Sequence, residues 1–129
     1  MKEKGDYFVE MKVMTYNIRH GKGKDKQLDL YRIAEVIKRS DAAIIGINEI
    51  DRYYSRSLHI DQPNWLAREL DMDYAFAPSL SLPPKHYSEL RQYGNAILSR
   101  YPIISKKRIR LKLNHVLSKE DRYLTPLFK

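Results

Sequence analysis

The sequence predicts an α/β fold built around a parallel strand pair, and three observations carry this expectation. Residues 12–18 (KVMTYNI) have the β-branched and aromatic content of a strand, ended by Gly21 and Gly23. Leu30, Ile33, Ala34 and Ile37 then fall on one helical stripe, the mark of an amphipathic helix. Residues 42–47 (AAIIGI) form a continuous apolar run, as expected of a strand covered on both faces. Strand, helix and strand within about 35 residues make a βαβ crossover, which is right-handed by strong preference.

The elements follow in order. Residues 19–27 form a basic, glycine-containing loop. Asp29 is positioned to cap the first helix, and Lys38 and Arg39 stand where cations favour a helix C-terminus. Asp61 is placed to cap a second helix, with Pro63 in its first turn and Trp65, Leu66 and Leu70 as apolar contacts. Residues 73–78 (DYAFAP) read as a short third strand and residues 79–92 as a long polar loop. Residues 94–99 (GNAILS) read as a fourth strand, closed by a turn at Tyr101-Pro102. Ile109, Leu111 and Leu113 alternate with Arg108, Arg110 and Lys112, which predicts a last strand with one basic face. Val116, Leu117, Leu124, Leu127 and Phe128 follow without a clean period and need neighbours to bury them, so the fold is expected to extend past this chain.

The 129 residues carry 24 Lys+Arg against 16 Asp+Glu, a formal net charge of +8. That excess favours a polyanionic partner such as nucleic acid, a phosphorylated substrate or anionic lipid head groups. Hydrophobic residues make up 43%, enough for a buried core, which argues against a disordered chain. The absence of cysteine excludes a disulfide scaffold, a thiol nucleophile and Cys-ligated zinc or iron–sulfur sites. No apolar run approaches the length of a membrane span, and residues 1–10 show no signal-peptide h-region, so a cytoplasmic protein is expected. No Walker A loop, HExxH helix or GxSxG elbow occurs, which leaves nucleoside-triphosphatase, zincin and serine-hydrolase readings without support.

Two polar residues stand directly after apolar strands. Asn17 ends TYN and Glu49 follows AAIIGIN. In parallel partner strands both would emerge at the carboxyl edge of the sheet, where α/β folds bind ligands. A carboxylate held there is a hard oxygen ligand suited to Mg²⁺, and the Asn17 amide suits a phosphate oxygen. The alternative is that Glu49 opens a solvated loop and Asn17 makes a turn.

Residues 14–21 (MTYNIRHG), 47–51 (INEID) and 93–103 (YGNAILSRYPI) resemble three motifs of the endonuclease/exonuclease/phosphatase superfamily, in the same order. A segment holding Arg56, Asp61 and Gln62 is also similar, and the resemblance runs over residues 12–123. It implies a four-layer αββα sandwich, a divalent metal, Mg²⁺ or Mn²⁺, and hydrolysis of a phosphoester in nucleic acid, a phospholipid head group or a nucleotide. Glu49 resembles the family's metal-ligand glutamate, and Asn17 its active-site asparagine. Asn48 stands where a glutamine is more usual. The family's later Asp-x-Asn and Ser-Asp-His motifs, which bind phosphate, orient water and supply the base, do not occur. Residues 12–129 therefore look like the N-terminal half of such a domain, after a mobile lead-in at residues 1–11. The sandwich is expected to be partial, a mixed sheet with helices on one face and most of the second sheet missing.

Further candidates carry two readings each. His20, in the loop after Asn17, touches substrate or is an ordinary loop histidine. Arg56 contacts phosphate or is a surface charge. Asn95 faces the site or makes a backbone-binding turn. Asp51 buttresses Glu49 in a pair with Arg52, or Arg52 makes a structural ion pair. Lys106, Arg108, Arg110 and Lys112 line a polyanion track or form an exposed strand face. Three functions fit: an enzyme fragment inactive alone, a non-catalytic module that binds polyanions, and one half of a split enzyme needing a complementary C-terminal half. A partial fold also implies self-association through uncovered apolar surface.

Overall fold

In the computed structural model, which describes residues 10–111, four strands form one sheet in the order β1-β2-β4-β3. They are β1 (Val13–Asn17), β2 (Ile44–Arg52), β3 (Asp73–Leu82) and β4 (Arg91–Ser99). Helix α1 (Leu30–Ser40) joins β1 to β2, and α2 (Gln62–Leu70) joins β2 to β3. β1 and β2 are parallel and the other two pairings antiparallel, so the sheet is mixed.

Strand alternation sorts the side chains into two faces. Met14, Ile45, Leu98 and Tyr74 make one cross-strand row, and Tyr16, Ile47, Ala96 and Phe76 the next. Both rows lie under Ala34 and Ile37 of α1 and Leu66 and Ala67 of α2, which together form the core. The other face carries Val13 and Ile44, then Thr15, Gly46, Ile97 and Ala75. No described residue covers it fully: Val13 is 68% exposed and Ile97 50%.

Local chemistry sets the helix ends. The Asp29 carboxylate accepts the Arg32 N–H at 3.2 Å, and the Asp61 carboxylate accepts the Asn64 N–H at 3.2 Å. Asp41 and Asp71 close the two helices in the left-handed conformation. Arg32 reaches back to Asp25 at 2.7 Å and to the Gln27 carbonyl at 3.0 Å, which folds the basic loop against α1. That bond holds the exposed Asp25 carboxyl at a pKa of about 2.

Several expectations are corrected. The polar loop expected over residues 79–92 shrinks to residues 83–90, because β3 runs on to Leu82 and β4 starts at Arg91. Paired backbone there outweighs the polar composition that suggested a loop. The strand expected around Ile109 is absent among the described residues: residues 104–111 are exposed and unpaired, so alternation without a partner strand made none. Lys112, Leu113, the apolar tail from Val116 to Phe128 and most of the lead-in lie outside the described residues. Among the described residues no second sheet forms, and no helix is long and apolar enough to cross a membrane.

Gly94 is the tight point of this sheet. It pairs with Ile50 on one side and Pro78 on the other, beside a register shift in each ladder. A Cβ there would stand 2.8 Å from Pro78 Cα and 2.9 Å from Ser79 N, and nearer still to the Ala77 carbonyl oxygen. These are backbone atoms and cannot rotate away. Gly94→Ala is expected to destabilise the fold by about 1–3 kcal/mol, the usual range for overpacking, read as a lower urea midpoint.

Candidate active site

The chemistry-bearing residues converge on one row of the sheet. Asn17, the last residue of β1, pairs with Asn48 of β2. On the other side of β2 the register runs from Ile47 opposite Ala96 to Ile50 opposite Gly94. Two residues, Asn48 and Glu49, therefore oppose the single residue Asn95, which is a β-bulge. Glu49 sits in the bulge with φ of 57°, left-handed backbone that a non-glycine residue rarely adopts. The bulge also re-phases β2. Ile45 and Ile47 face the core before it, and Ile50 does so after it. Asn17, Asn48 and Asn95 are exposed and Glu49 is half-buried.

The loop after β1 is equally constrained. The Asn17 side-chain oxygen accepts the Arg19 N–H at 3.0 Å, so Asn17 makes the turn as well as ending the strand. Arg19 and His20 both have positive φ, at 47° and 45°, and Gly21 follows at 84°. The Gly21 N–H returns to the Ile18 carbonyl at 2.9 Å, and Ile18 donates to the Asn48 carbonyl at 3.1 Å. These bonds hold the loop against the bulge.

Behind the row lies a charged cluster. Asp51 is completely buried. Arg56 donates to it from Nε and Nη2, each at 2.8 Å, and the Ser57 hydroxyl donates at 2.7 Å. The bidentate bond raises the Arg56 pKa further. The Arg56 guanidinium also lies 4.5 Å from the Tyr54 ring centre and 5.2 Å from that of Tyr93. The expected Asp51–Arg52 pair is not formed. Arg52 turns instead to Asp61 at 3.2 Å, because successive residues of an extended strand point apart.

This proximity bears on the groups that titrate. Burial lowers the His20 pKa, the Arg56 charge lowers it further, and Asp51 opposes them. Burial raises the Tyr93 pKa, and the Glu49 charge adds to it. Structure thus brings together Asn17, His20, Glu49, Asp51, Arg56 and Asn95. It adds Asn48, Gln62 and Tyr93, which sequence reasoning did not assign to the site. The only sequence signal for Tyr93 and Gln62 was their membership of the resembling segments. His59 is occupied otherwise: it stacks on Tyr87 at 3.8 Å and meets Glu89 at 3.2 Å.

The Endonuclease/Exonuclease/phosphatase family model matches residues 14–124. This chain belongs to that family. Its fold is similar to a solved structure from Beutenbergia cavernae DSM 12333 described as an endonuclease/exonuclease/phosphatase, with a TM-score of 0.57 and 25% sequence identity. The match covers 74% of this family member and 27% of that chain, so it spans about a quarter of its relative's length. No curated protein matches it at a significant level.

Asp51 and Arg56 make the next expectation quantitative. Breaking a fully buried ion pair costs about 3–5 kcal/mol, but the Arg56 side chain is 42% exposed, so Arg56→Ala is expected to cost about 2 kcal/mol in thermal or urea denaturation. The same substitution removes a cation beside His20, so the His20 midpoint should rise in an NMR titration. In the wild type that midpoint lies below the ordinary histidine value of 6.5. Protonation of His20 then favours the unfolded chain, and its contribution to stability is lost as pH falls below about 6.5.

Proposed function

We propose that this chain supplies the metal-holding and phosphate-orienting part of a hydrolase that cleaves phosphoester bonds. The observation that supports it is the single row of Asn17, Asn48, Glu49 and Asn95, level with the carboxyl end of β1 in a fold of this family.

Glu49 is the carboxylate that would hold one Mg²⁺ or Mn²⁺. The donors around it are oxygen and amide groups, which suits a hard cation that keeps most of its waters. Among the described residues no group of three His, Cys, Asp or Glu stands ready to close a cage, so an open, weak site is expected. When bound, such an ion neutralises charge on the phosphoryl oxygens. The side-chain amides of Asn17, Asn48 and Asn95 are donors suited to phosphate oxygens. Arg56 commits two nitrogens to Asp51, so its first part is to hold that carboxylate, while its positive charge stays beside the row. Burial and the Arg56 charge both hold the His20 pKa below its ordinary value.

Neither Asp-x-Asn nor Ser-Asp-His lies within the 129 residues. We therefore assign the proton acceptor and the rest of the phosphate clamp to a complementary C-terminal half, with the open sheet face around Val13 and Ile97 as its seat. The substrate belongs to the phosphoesters named above: nucleic acid, a phospholipid head group or a nucleotide.

Titration calorimetry should find weak Mn²⁺ binding that Glu49→Gln abolishes, and tight binding surviving that change would move the metal elsewhere. An assay of the purified chain with Mg²⁺ and Mn²⁺, against abasic-site DNA, bis-p-nitrophenyl phosphate and a phosphoinositide, should find turnover near background. General acid–base assistance alone is worth about 10²–10⁴-fold. Turnover that disappears in Glu49→Ala would show that the base lies within this chain.

A further inference from the structure

The strained segments of the candidate site share one support. Arg19 and His20 on one segment and Glu49 on the other hold left-handed backbone without being glycine. Such conformations persist only where surrounding bonds over-determine them. The Gln62 side chain is completely buried at the first turn of α2, an unusual place for an amide unless both its ends are bonded. Its Oε1 accepts the Asp51 N–H at 3.0 Å, and its Nε2 donates to the His20 carbonyl at 2.8 Å. Among the described residues it is the only side chain bonded to both segments.

Gln62 is itself held in place. Asp61 caps α2 and pairs with Arg52, Arg52 and Asp61 also form a backbone bridge, and Pro63 is buried beside it. The loop packs hard on the amide, since a Cβ on Gly21 would stand 3.3 Å from Gln62 Nε2. A leucine would fill this volume, so filling space does not account for an amide here.

We propose that Gln62 is a positioning residue that sets the spacing between the Asn17–His20 loop and the Glu49 bulge. This rests on the reading of that row as the active site. Its Oε1 fixes the strand two residues past Glu49, and its Nε2 fixes the loop three residues past Asn17. The donor and acceptor ends are not interchangeable, because one faces an N–H and the other a carbonyl.

Gln62→Glu and Gln62→Leu in the full chain test this. A protonated glutamic acid can accept from Asp51 N–H and donate to the His20 carbonyl, whereas an ionised one sets two acceptors against each other. His20, Glu49, Asp51 and Arg56 lie nearby in both proteins, so each pH point is read as variant against wild type. For Gln62→Glu, amide NMR signals of His20, Gly21, Glu49 and Asp51 should match wild type in acid. They should then depart together, with one midpoint, as pH rises. Gln62→Leu should keep the Ile45 and Leu98 signals while exchange of the Asp51 amide quickens and Mn²⁺ affinity falls about 10-fold or more. Signals of the two segments that move independently, or stay put in both variants, would overturn the proposal. If Gln62→Leu fails to fold, the acid-to-neutral transition of Gln62→Glu decides. Wild type lacking Mn²⁺ binding that depends on Glu49 would overturn the metal reading, while the coupled amide shifts would still judge Gln62.

Discussion

The Asp51 carboxylate lies wholly out of water at the end of a core strand, and it has to be neutralised where it stands. Arg56 and Ser57 do this from the segment that follows, and Gln62 takes up the backbone N–H of the same residue. One buried charge therefore organises the whole stretch between β2 and α2. It pins Arg56 between Tyr54 and Tyr93, seats α2 against the strand end, and through Gln62 reaches the loop after β1. A network of this kind rigidifies when every member is bonded.

The sheet supplies the frame on which that network acts. β2 and β4 are central, flanked by β1 and β3, and the helices cover only one face. The bulge in β2 serves two ends. It turns Glu49 out of the regular alternation, and it keeps Ile50 in the core although Ile45 and Ile47 precede it in the opposite phase. A regular strand would have had to give up one or the other. Gly94 answers the same irregularity from β4, where the neighbouring β3 backbone leaves no room for a side chain. The open face bears small and apolar residues topped by a row of asparagines, a surface suited to a second layer.

Membership of the Endonuclease/Exonuclease/phosphatase family gives this geometry its chemical context, although the chain spans only 27% of the solved relative's length. The row of asparagines with one carboxylate is polar, and two residues past Glu49 the Asp51 carboxylate holds the Arg56 guanidinium. In the function proposed above, that combination is what meets phosphate and a hard cation.

The sequence by itself determined the elements whose signals are local. The apolar stripe of α1 and the caps at Asp29 and Asp61 need only neighbours a few residues away, and each stands where periodicity and capping chemistry put it. The apolar run of residues 42–47 marked β2 but not its bounds: the strand starts at Ile44 and runs on to Arg52, so Glu49 lies within it and not after its end, because pairing with β4 continues past the bulge. The parallel pairing of β1 with β2 followed from the helix between them, so the meeting of Asn17 with the Asn48–Glu49 dipeptide was legible too. Ile109 and its neighbours show the limit of that method, since alternation makes a strand only where a partner pairs with it, and among the described residues none does. The tertiary structure alone decided the rest. The bulge arises from the register between β2 and β4, some 45 residues apart on the chain, as does the place of Asn95 opposite it. The choice of Arg56 over Arg52 as the partner of Asp51, and the bonding of Gln62 to both His20 and Asp51, depend on which side chains the fold brings within 3 Å. Hydrogen bonds and buried charges are satisfied in space, and spacing along the chain does not encode them.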